Sequence, residues 1–201
     1  MHRILDGMSQ LEECSMFMTM FSPEVNPPNL ISRSKKSLAM TTKAMAIATI
    51  EEFLASHDID HERNSQSTFF LTLPGEKKLQ THCALVVGDH SVSINAFVVR
   101  KPDENGAAVH EWLLKKNASL YCVAFAINEL GDIYLVGRLP FGSVTEQELD
   151  RVIGAVLQYS DSSFNILLEL GFTSAIRREW AWRVSRGESL SNLEAFAHLV
   201  N

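Results

Sequence analysis

The sequence has few cysteines and no long apolar run, and both absences limit what the chain can be. Only three of the 201 residues are cysteines, namely Cys14, Cys83 and Cys122. They are too few and too scattered for a disulfide-stapled fold or a zinc ribbon. No stretch approaches the ~18 apolar residues that a membrane-spanning helix needs, and no signal-peptide pattern is present. We therefore expect a cytoplasmic protein with reduced thiols and no membrane partner.

Motifs for catalysis are missing as well. The sequence contains no phosphate-binding glycine loop, no dinucleotide fingerprint, no nucleophile elbow and no quartet of zinc ligands. His57 and His61 enclose a polar run, which we interpret as a helix end rather than a metal site. A net charge of -6 argues against nucleic acid, because binding phosphates requires clustered Lys and Arg. We predict a protein that is not an enzyme and that uses neither cofactor nor metal.

Methionine is absent after residue 45, which indicates a compositional boundary. Prolines and a polar run precede that boundary, so we expect residues 1–44 to be a poorly ordered extension and residues 45–201 to form one domain. Our hypothesis is that the extension is dispensable and that the natural chain starts at Met40 or Met45. The alternative is a genuine tail that docks through its Met and Phe side chains.

Hydrophobic periodicity predicts the order of the elements in the domain. The predicted elements are a helix at 48–56, strands at 69–73, 79–87 and 92–99, a helix at 103–116, strands at 121–127 and 133–139, a long helix opened by a Thr145/Glu148 capping box and ended by Gly171, and helices at 173–185 and 191–200, the last opened by Ser191/Glu194. This αβββαββα order indicates an α+β fold, with a five-stranded, mainly antiparallel sheet and helices on one face. Such a sheet leaves a second face or an edge for partners.

A charged corner follows the third predicted strand. Its candidate partner-binding residues are Arg100, Lys101, Asp103, Glu104 and Asn105. One interpretation is local, because acidic residues are favoured at the start of the next helix. In the other, the two cations hold an anionic or peptide ligand and the two acids orient it. Asp132 is interpreted as a turn residue rather than a catalyst.

The C-terminal stretch RREWAWR, residues 177–183, contains two of the three tryptophans. On a helix, Trp180 faces the core, whereas Trp182 points roughly 160° away, on the side of Arg186. Glu179 precedes Arg183 by one turn and can pair with it. Either both tryptophans clamp this helix onto the domain, or Trp182, Arg183 and Arg186 form a partner-binding face. Stacking on nucleic acid is a third interpretation.

Five strings in the sequence are familiar together. They are LPGEKKL (73–79), FVVRKPDEN (97–105), GDIYLVGRLP (131–140), FNILLELGF (164–172) and EWAWRVSRGESLSNLEAFAHL (179–199). Jointly they resemble the YbjN-domain family as it occurs in actinobacteria, although Gly106 stands where that family leads us to expect a histidine. The resemblance implies a fold similar to type III secretion chaperones, which are dimers that hold extended segments of partner proteins. It also implies a proposed role in sensory transduction regulation, and it brings no catalytic residues.

The leading hypothesis is a peptide- or protein-binding module, chaperone-like or regulatory, that captures an extended segment by strand addition or in an apolar groove. A second hypothesis is an enzyme or sensor acting on a small anionic ligand near Arg100, Lys101, Asp103 and Asp132. The third is a regulatory homodimer whose sheet face is covered by its own copy.

Overall fold

A computed structural model describes residues 36–65 and 67–200. Its main elements are α1 (Lys36–Ser56), β1 (His61–Ser65), β2 (Thr68–Pro74), β3 (Gln80–Val87), β4 (Ser91–Val99), α2 (Gly106–Asn117), β5 (Val123–Ile127), β6 (Ile133–Pro140) and α3 (Glu146–Arg186). Two 3-10 segments follow β6 and α3, at Phe141–Ser143 and Ser191–Leu199. The predicted boundary at residue 44 falls inside α1, and residues 1–35 of the predicted extension lie outside the described residues.

The strands form one antiparallel sheet of six, in the order β1-β2-β3-β4-β6-β5. The predicted α+β class is confirmed, but the predicted number of five strands was wrong. The missing strand is β1, whose sequence His-Glu-Arg-Asn-Ser has no apolar alternation. It joins the sheet through its backbone instead, and the chain just before it already pairs, because the Thr72 N–H donates to the Asp60 carbonyl at 2.9 Å. A half-buried strand has the alternating pattern that we looked for, whereas an exposed edge strand does not need it.

One face of the sheet carries the main core. Alternate residues of the strands, such as Phe69, Leu85 and Ile94, pack there against the apolar sides of the helices. α1 contributes Ile50 and Leu54 to this core. α3 contributes a stripe of side chains that are buried in the same core, namely Leu149, Val152, Val156, Leu167 and Leu168. The prediction that the helices pack on one face is confirmed.

The opposite face carries a smaller apolar cluster. Phe97 and Tyr134 form its centre, and Phe70 and Val136 pack against them. These four side chains come from β2, β4 and β6. Within the described part of the chain, no helix contributes a side chain to this cluster.

The long helix α3 begins as predicted but does not end as predicted. The Thr145 hydroxyl accepts a hydrogen bond from the Glu148 N–H at 3.2 Å, which confirms this cap. Gly171 does not stop the helix; the backbone departs from helical geometry at Phe172 (φ -143, ψ 16), and the helix then resumes. It ends at Gly187, whose φ of 66 is the left-handed conformation that glycine adopts without strain.

The last element is a 3-10 segment rather than the predicted α-helix. Ser191 does not cap it, because its N-cap residue is Leu190 and no side chain caps the segment. The Ser191 N–H instead donates to the Ser189 hydroxyl at 3.3 Å. Such a local bond between a side chain and the backbone competes with regular helix formation.

Candidate functional site

The charged corner between β4 and α2 is closed by an internal ion pair. Arg100 donates two hydrogen bonds to the Asp103 carboxylate, at 2.7 and 2.8 Å. The same guanidinium lies 4.5 Å from the centre of the Phe172 ring. Arg100 is therefore held by a carboxylate and by an aromatic face of its own chain, a geometry that suits arginine and not lysine.

The remaining groups of the corner bind the backbone of α3 where that helix bends. The N–H groups of Asp103 and Glu104 both donate to the Gly171 carbonyl, at 3.0 and 3.1 Å. The Asn105 amide donates to the Leu170 carbonyl at 3.1 Å. The Glu104 carboxylate accepts from the Ser174 N–H at 2.6 Å and from its hydroxyl at 2.8 Å. A bend interrupts the regular helical ladder, and the corner supplies partners to backbone groups on both sides of it.

The local interpretation, which assigned the acids to the start of the next helix, does not describe Glu104. α2 begins only at Gly106, and its N-cap residue, Asn105, makes no side-chain cap. Glu104 instead caps the part of α3 that resumes after Phe172. Sequence reasoning placed an acid at a helix N-terminus, but only the fold shows which helix it serves.

The pKa shifts in the corner are those expected of charged groups that are held by hydrogen bonds. Hydrogen bonds from Arg100 lower the pKa of Asp103, and the hydrogen bond to Asp103 raises the pKa of Arg100. The hydrogen bond from the Ser174 N–H lowers the pKa of Glu104. Neither carboxylate has a pKa moved toward neutrality, as a general acid or base working near pH 7 would need.

Lys101 joins the corner to the turn between β5 and β6. Its N–H donates to the Asp132 carboxylate at 2.7 Å. Its side chain lies so close to Gly131 that a Cβ there would be 2.9 Å from Lys101 Cγ. Asp132 lies in this turn, where its own N–H donates to the Asn128 side chain at 2.8 Å. The carboxylate that the enzyme hypothesis placed beside the cations therefore accepts from the backbone.

The two tryptophans of the C-terminal tail lie on different sides of the helix, as predicted. Trp180 packs against the core, whereas Trp182 is 45% exposed with the Arg186 guanidinium 5.0 Å from its ring centre. Arg183 pairs with Glu179 at 2.8 Å and also donates to the Ser189 carbonyl at 2.9 Å. Of the three predicted binding residues here, Arg183 fastens the tail, and Trp182 and Arg186 face outward.

The two edges of the sheet differ, and sequence reasoning missed this difference. At β5, the Asn117 side chain accepts from the Phe125 N–H at 2.7 Å and donates to the Phe125 carbonyl at 3.1 Å. The Val123 N–H donates to the Tyr121 carbonyl at 2.7 Å. These groups occupy the outer side of β5, since the residues between them are directed to β6. The only signal in the sequence was an Asn at the end of a helix that precedes a strand.

At the opposite edge, β1 lies at the end of the sheet. Among the residues that the structure describes, no strand runs along its outer side. Its residues from His61 to Asn64 are exposed. The described part of the chain therefore leaves the outer side of β1 without a neighbouring strand.

Neither a cluster of metal ligands nor a membrane-spanning helix is found among the described residues. No three or more His, Cys, Asp or Glu side chains are grouped there so that they could hold a metal ion. Nδ1 of His57 lies 3.0 Å from the Phe53 carbonyl, and Nδ1 of His61 lies 2.8 Å from the Ile59 carbonyl. None of the described helices is long and apolar enough to cross a membrane.

A family model, YbjN, described as "Putative bacterial sensory transduction regulator", matches residues 46–169. That match covers more than half of the chain. The chain belongs to the YbjN family. The resemblance found in the sequence is thereby confirmed, and the tail from residue 170 onward lies outside the matched part of this YbjN chain.

Similar proteins occur in mycobacteria. An uncharacterized protein of Mycobacterium leprae is 57% identical over 129 residues, which are 64% of this chain and 70% of that relative. An uncharacterized protein of Mycobacterium bovis is 58% identical over 127 residues, which are 63% of this chain and 69% of the relative.

Two solved structures were also matched. The ExsC-ExsE complex gives a TM-score of 0.48 with 11% identity, over 62% of this chain and 95% of that chain. The heterodimeric complex ExoU-SpcU from the type III secretion system of Pseudomonas aeruginosa gives 0.45 with 17% identity, over 61% and 98%.

Proposed function

We propose that this YbjN chain is a non-catalytic protein-binding module that takes up an extended polypeptide segment along β1. The observation that carries the proposal is the contrast between the edges: β5 is sealed by Asn117, and β1 is not covered by any described strand. Adding a strand to an edge gives affinity through backbone hydrogen bonds and needs no catalytic residue.

The backbone of β1 is oriented for such an addition. In an antiparallel pair, successive residues direct their backbone groups alternately toward the partner and away from it. Because Asp60 accepts from the Thr72 N–H, Asp60 is directed to β2 and His61 is directed outward. An incoming strand would therefore meet the N–H and carbonyl of His61.

The side chains of β1 would give selectivity. Arg63 lies on the helix-covered face, where it pairs with Glu51 and its guanidinium is 5.3 Å from the centre of the Phe69 ring. Glu62 follows the opposite alternation and is exposed. A partner segment that presents a basic residue on the Glu62 side fits this pattern.

The description of the family, a putative sensory transduction regulator, supports a regulatory use of this binding. A small anionic ligand is less well supported, because the Arg100 guanidinium is already neutralised by Asp103. A regulatory homodimer whose sheet face is covered by its own copy is the remaining alternative. It would show itself as concentration-dependent mass in light scattering.

The test uses short peptides selected on the protein from a phage-displayed library. His61→Pro removes the outward N–H and places a ring at the edge, whereas His61→Ala keeps the N–H and is the matched control. We expect His61→Pro to weaken peptide binding about tenfold or more, since one lost hydrogen bond with a steric clash exceeds ~1.4 kcal/mol. Equal binding by both variants, or a rise in Tm with nucleotides or metabolites but never with peptides, would contradict the proposal.

A further inference from the structure

The sequence contains one Asn-Gly pair, Asn105-Gly106, at the point where the charged corner meets α2. Asparagine is chemically labile, and most so before glycine, because the backbone nitrogen of the next residue attacks the side-chain amide carbon. Glycine has no side chain to obstruct that approach. The family resemblance led us to expect a histidine at position 106, so the residue that completes the labile pair is unexpected.

The backbone nitrogen of Gly106 lies outside the hydrogen-bond ladder of the helix that it begins. Gly106 is the first residue of α2, and the first N–H groups of a helix have no acceptor within that helix. Within the described part of the chain, a Cβ built at Gly106 would have no heavy atom within 4 Å beyond its chain neighbours. The attacking nitrogen is therefore neither bonded in the helix nor crowded by other elements.

The side chain of Asn105 is exposed and lightly held. Among the described residues its amide makes one hydrogen bond, which it donates to the Leu170 carbonyl at 3.1 Å. Asn117 is the contrasting case, because its side chain bonds Phe125 through both oxygen and nitrogen and is followed by Ala118. Asn105 is thus less restrained than Asn117, and it is accessible to water.

We propose that Asn105 deamidates spontaneously and that this change releases the corner from the bend of α3. The Gly106 nitrogen loses its proton and forms a bond to the side-chain carbonyl carbon of Asn105. The bond from that carbon to the amide nitrogen breaks, so ammonia leaves with the proton and a cyclic imide remains. Water then adds to either carbonyl of the imide and opens the ring, which leaves aspartate or isoaspartate at position 105.

The product lacks the hydrogen bond that the asparagine supplies. An ionised carboxylate only accepts hydrogen bonds, so it cannot donate to the Leu170 carbonyl. It also adds a third negative charge directly after Asp103 and Glu104, and like charges that lie close together repel. Deamidation therefore weakens the contact between the corner and the helix backbone just before the bend.

Incubation of the full-length chain for several days in mildly alkaline buffer tests the proposal. Peptide mass spectrometry should find aspartate and isoaspartate at position 105, severalfold above the level at Asn192, which is also exposed but precedes Leu193.

Gly106→His is the matched variant. The site accepts a side chain, because Gly106 has helical rather than left-handed backbone and open space beside it. This variant should reduce the modified fraction at position 105 severalfold. An intact Asn105 in the native chain, or an equal modified fraction in both proteins, would overturn the proposal.

A second measurement tests the release of the corner. Asn105→Asp reproduces one of the two products without incubation and should lower the Tm by a few degrees. Asn192→Asp adds the same charge elsewhere, where the side-chain oxygen accepts from the Ser191 hydroxyl at 3.5 Å, a role that a carboxylate keeps. This control should leave the Tm unchanged. Equal shifts in the two variants, or no shift in Asn105→Asp, would refute the release.

Discussion

The two edge strands of the sheet are protected against unwanted pairing with other chains in different ways. β5 is apolar, with the sequence Val-Ala-Phe-Ala-Ile, and an unpaired apolar edge invites aggregation. Asn117 closes it with an amide that imitates a strand residue at Phe125. β1 is short and polar, and charged side chains make an edge safe without a seal. The comparison teaches that the polar edge is the one that can stay accessible to a partner.

The seal on β5 and the charged corner lie at opposite ends of α2. The loop from Arg100 to Asn105 fixes the start of α2 against the bend in α3, and Asn117 stands at the other end of α2. The ionised residues of the corner contact one another and α3. Binding chemistry and helix anchoring use the same residue types, so the predicted role of these residues in binding a partner stays a prediction.

Removing the Asn117 side chain from the β5 edge should have the largest effect on stability. Asn117→Ala leaves the N–H and carbonyl of Phe125 without their partner, and we expect the free energy of unfolding to fall by about 2–3 kcal/mol. Light scattering should also show association that increases with concentration. His61→Ala at the other edge is the control and should change stability by less than ~0.5 kcal/mol in urea unfolding. Similar losses for both would remove the difference between the edges.

Overpacking the bend should have the next largest effect. A Cβ at Gly171 would lie 2.9 Å from Pro102 Cβ, so Gly171→Ala should cost about 1–3 kcal/mol and loosen the corner that places α2. Gly154→Ala, in the same helix but with open space around it, should instead gain up to ~1 kcal/mol. Thermal unfolding of both variants measures this pair. A stable Gly171→Ala protein would show that the corner is not tightly packed.

Acid should lower the free energy of unfolding through His82, which lies on β3 between the two edges of the sheet. This side chain is buried on β3, and Nδ1 has no hydrogen-bond partner within the described residues. Burial, and then the charge of Lys78, lower the pKa of His82 from 6.5. The unfolded chain therefore binds this proton more readily, and stability that is complete above pH 6.5 is lost as the pH falls through the lowered pKa of the folded state.

The check on this titration is a series of urea unfolding curves between neutral and mildly acidic pH. His82→Gln should show a smaller decrease of stability with falling pH than the native chain. Identical pH dependence in the two proteins would mean that His82 does not carry the effect.

The smallest change is expected from the outward tryptophan, which tests whether the tail competes with β1 as a binding surface. Trp182→Ala should alter stability by less than ~0.5 kcal/mol, because nearly half of the side chain is already exposed. Trp180→Ala, on the packed side, should cost about 1–2 kcal/mol, because this side chain is only partly buried against the core. Fluorescence polarisation with the selected peptides then decides the site. Undiminished binding to Trp182→Ala supports β1, and lost binding moves the site to the tail.

Sequence reasoning succeeded where a local pattern has one physical meaning. The alternation in β2 to β6 and the stripe in α3 predicted the elements, and the Thr145 cap and the Glu179–Arg183 pair were found as expected. It failed at β1, where no apolar pattern exists, and at Gly171, which was interpreted as a helix end. Gly171 is needed instead because Pro102 approaches it too closely for any side chain.

By itself, the sequence determined the class of fold, the family and the lack of any recognised catalytic motif, because these depend on periodicity and on residue strings that are read along the chain. Only the tertiary structure decided which edge is sealed, which helix Glu104 caps and which side of the tail is exposed. Each of these depends on groups far apart in sequence, such as Glu104 and Ser174, meeting in space. A local pattern supplies the donors and acceptors, and the packing of the helices on the sheet chooses their partners.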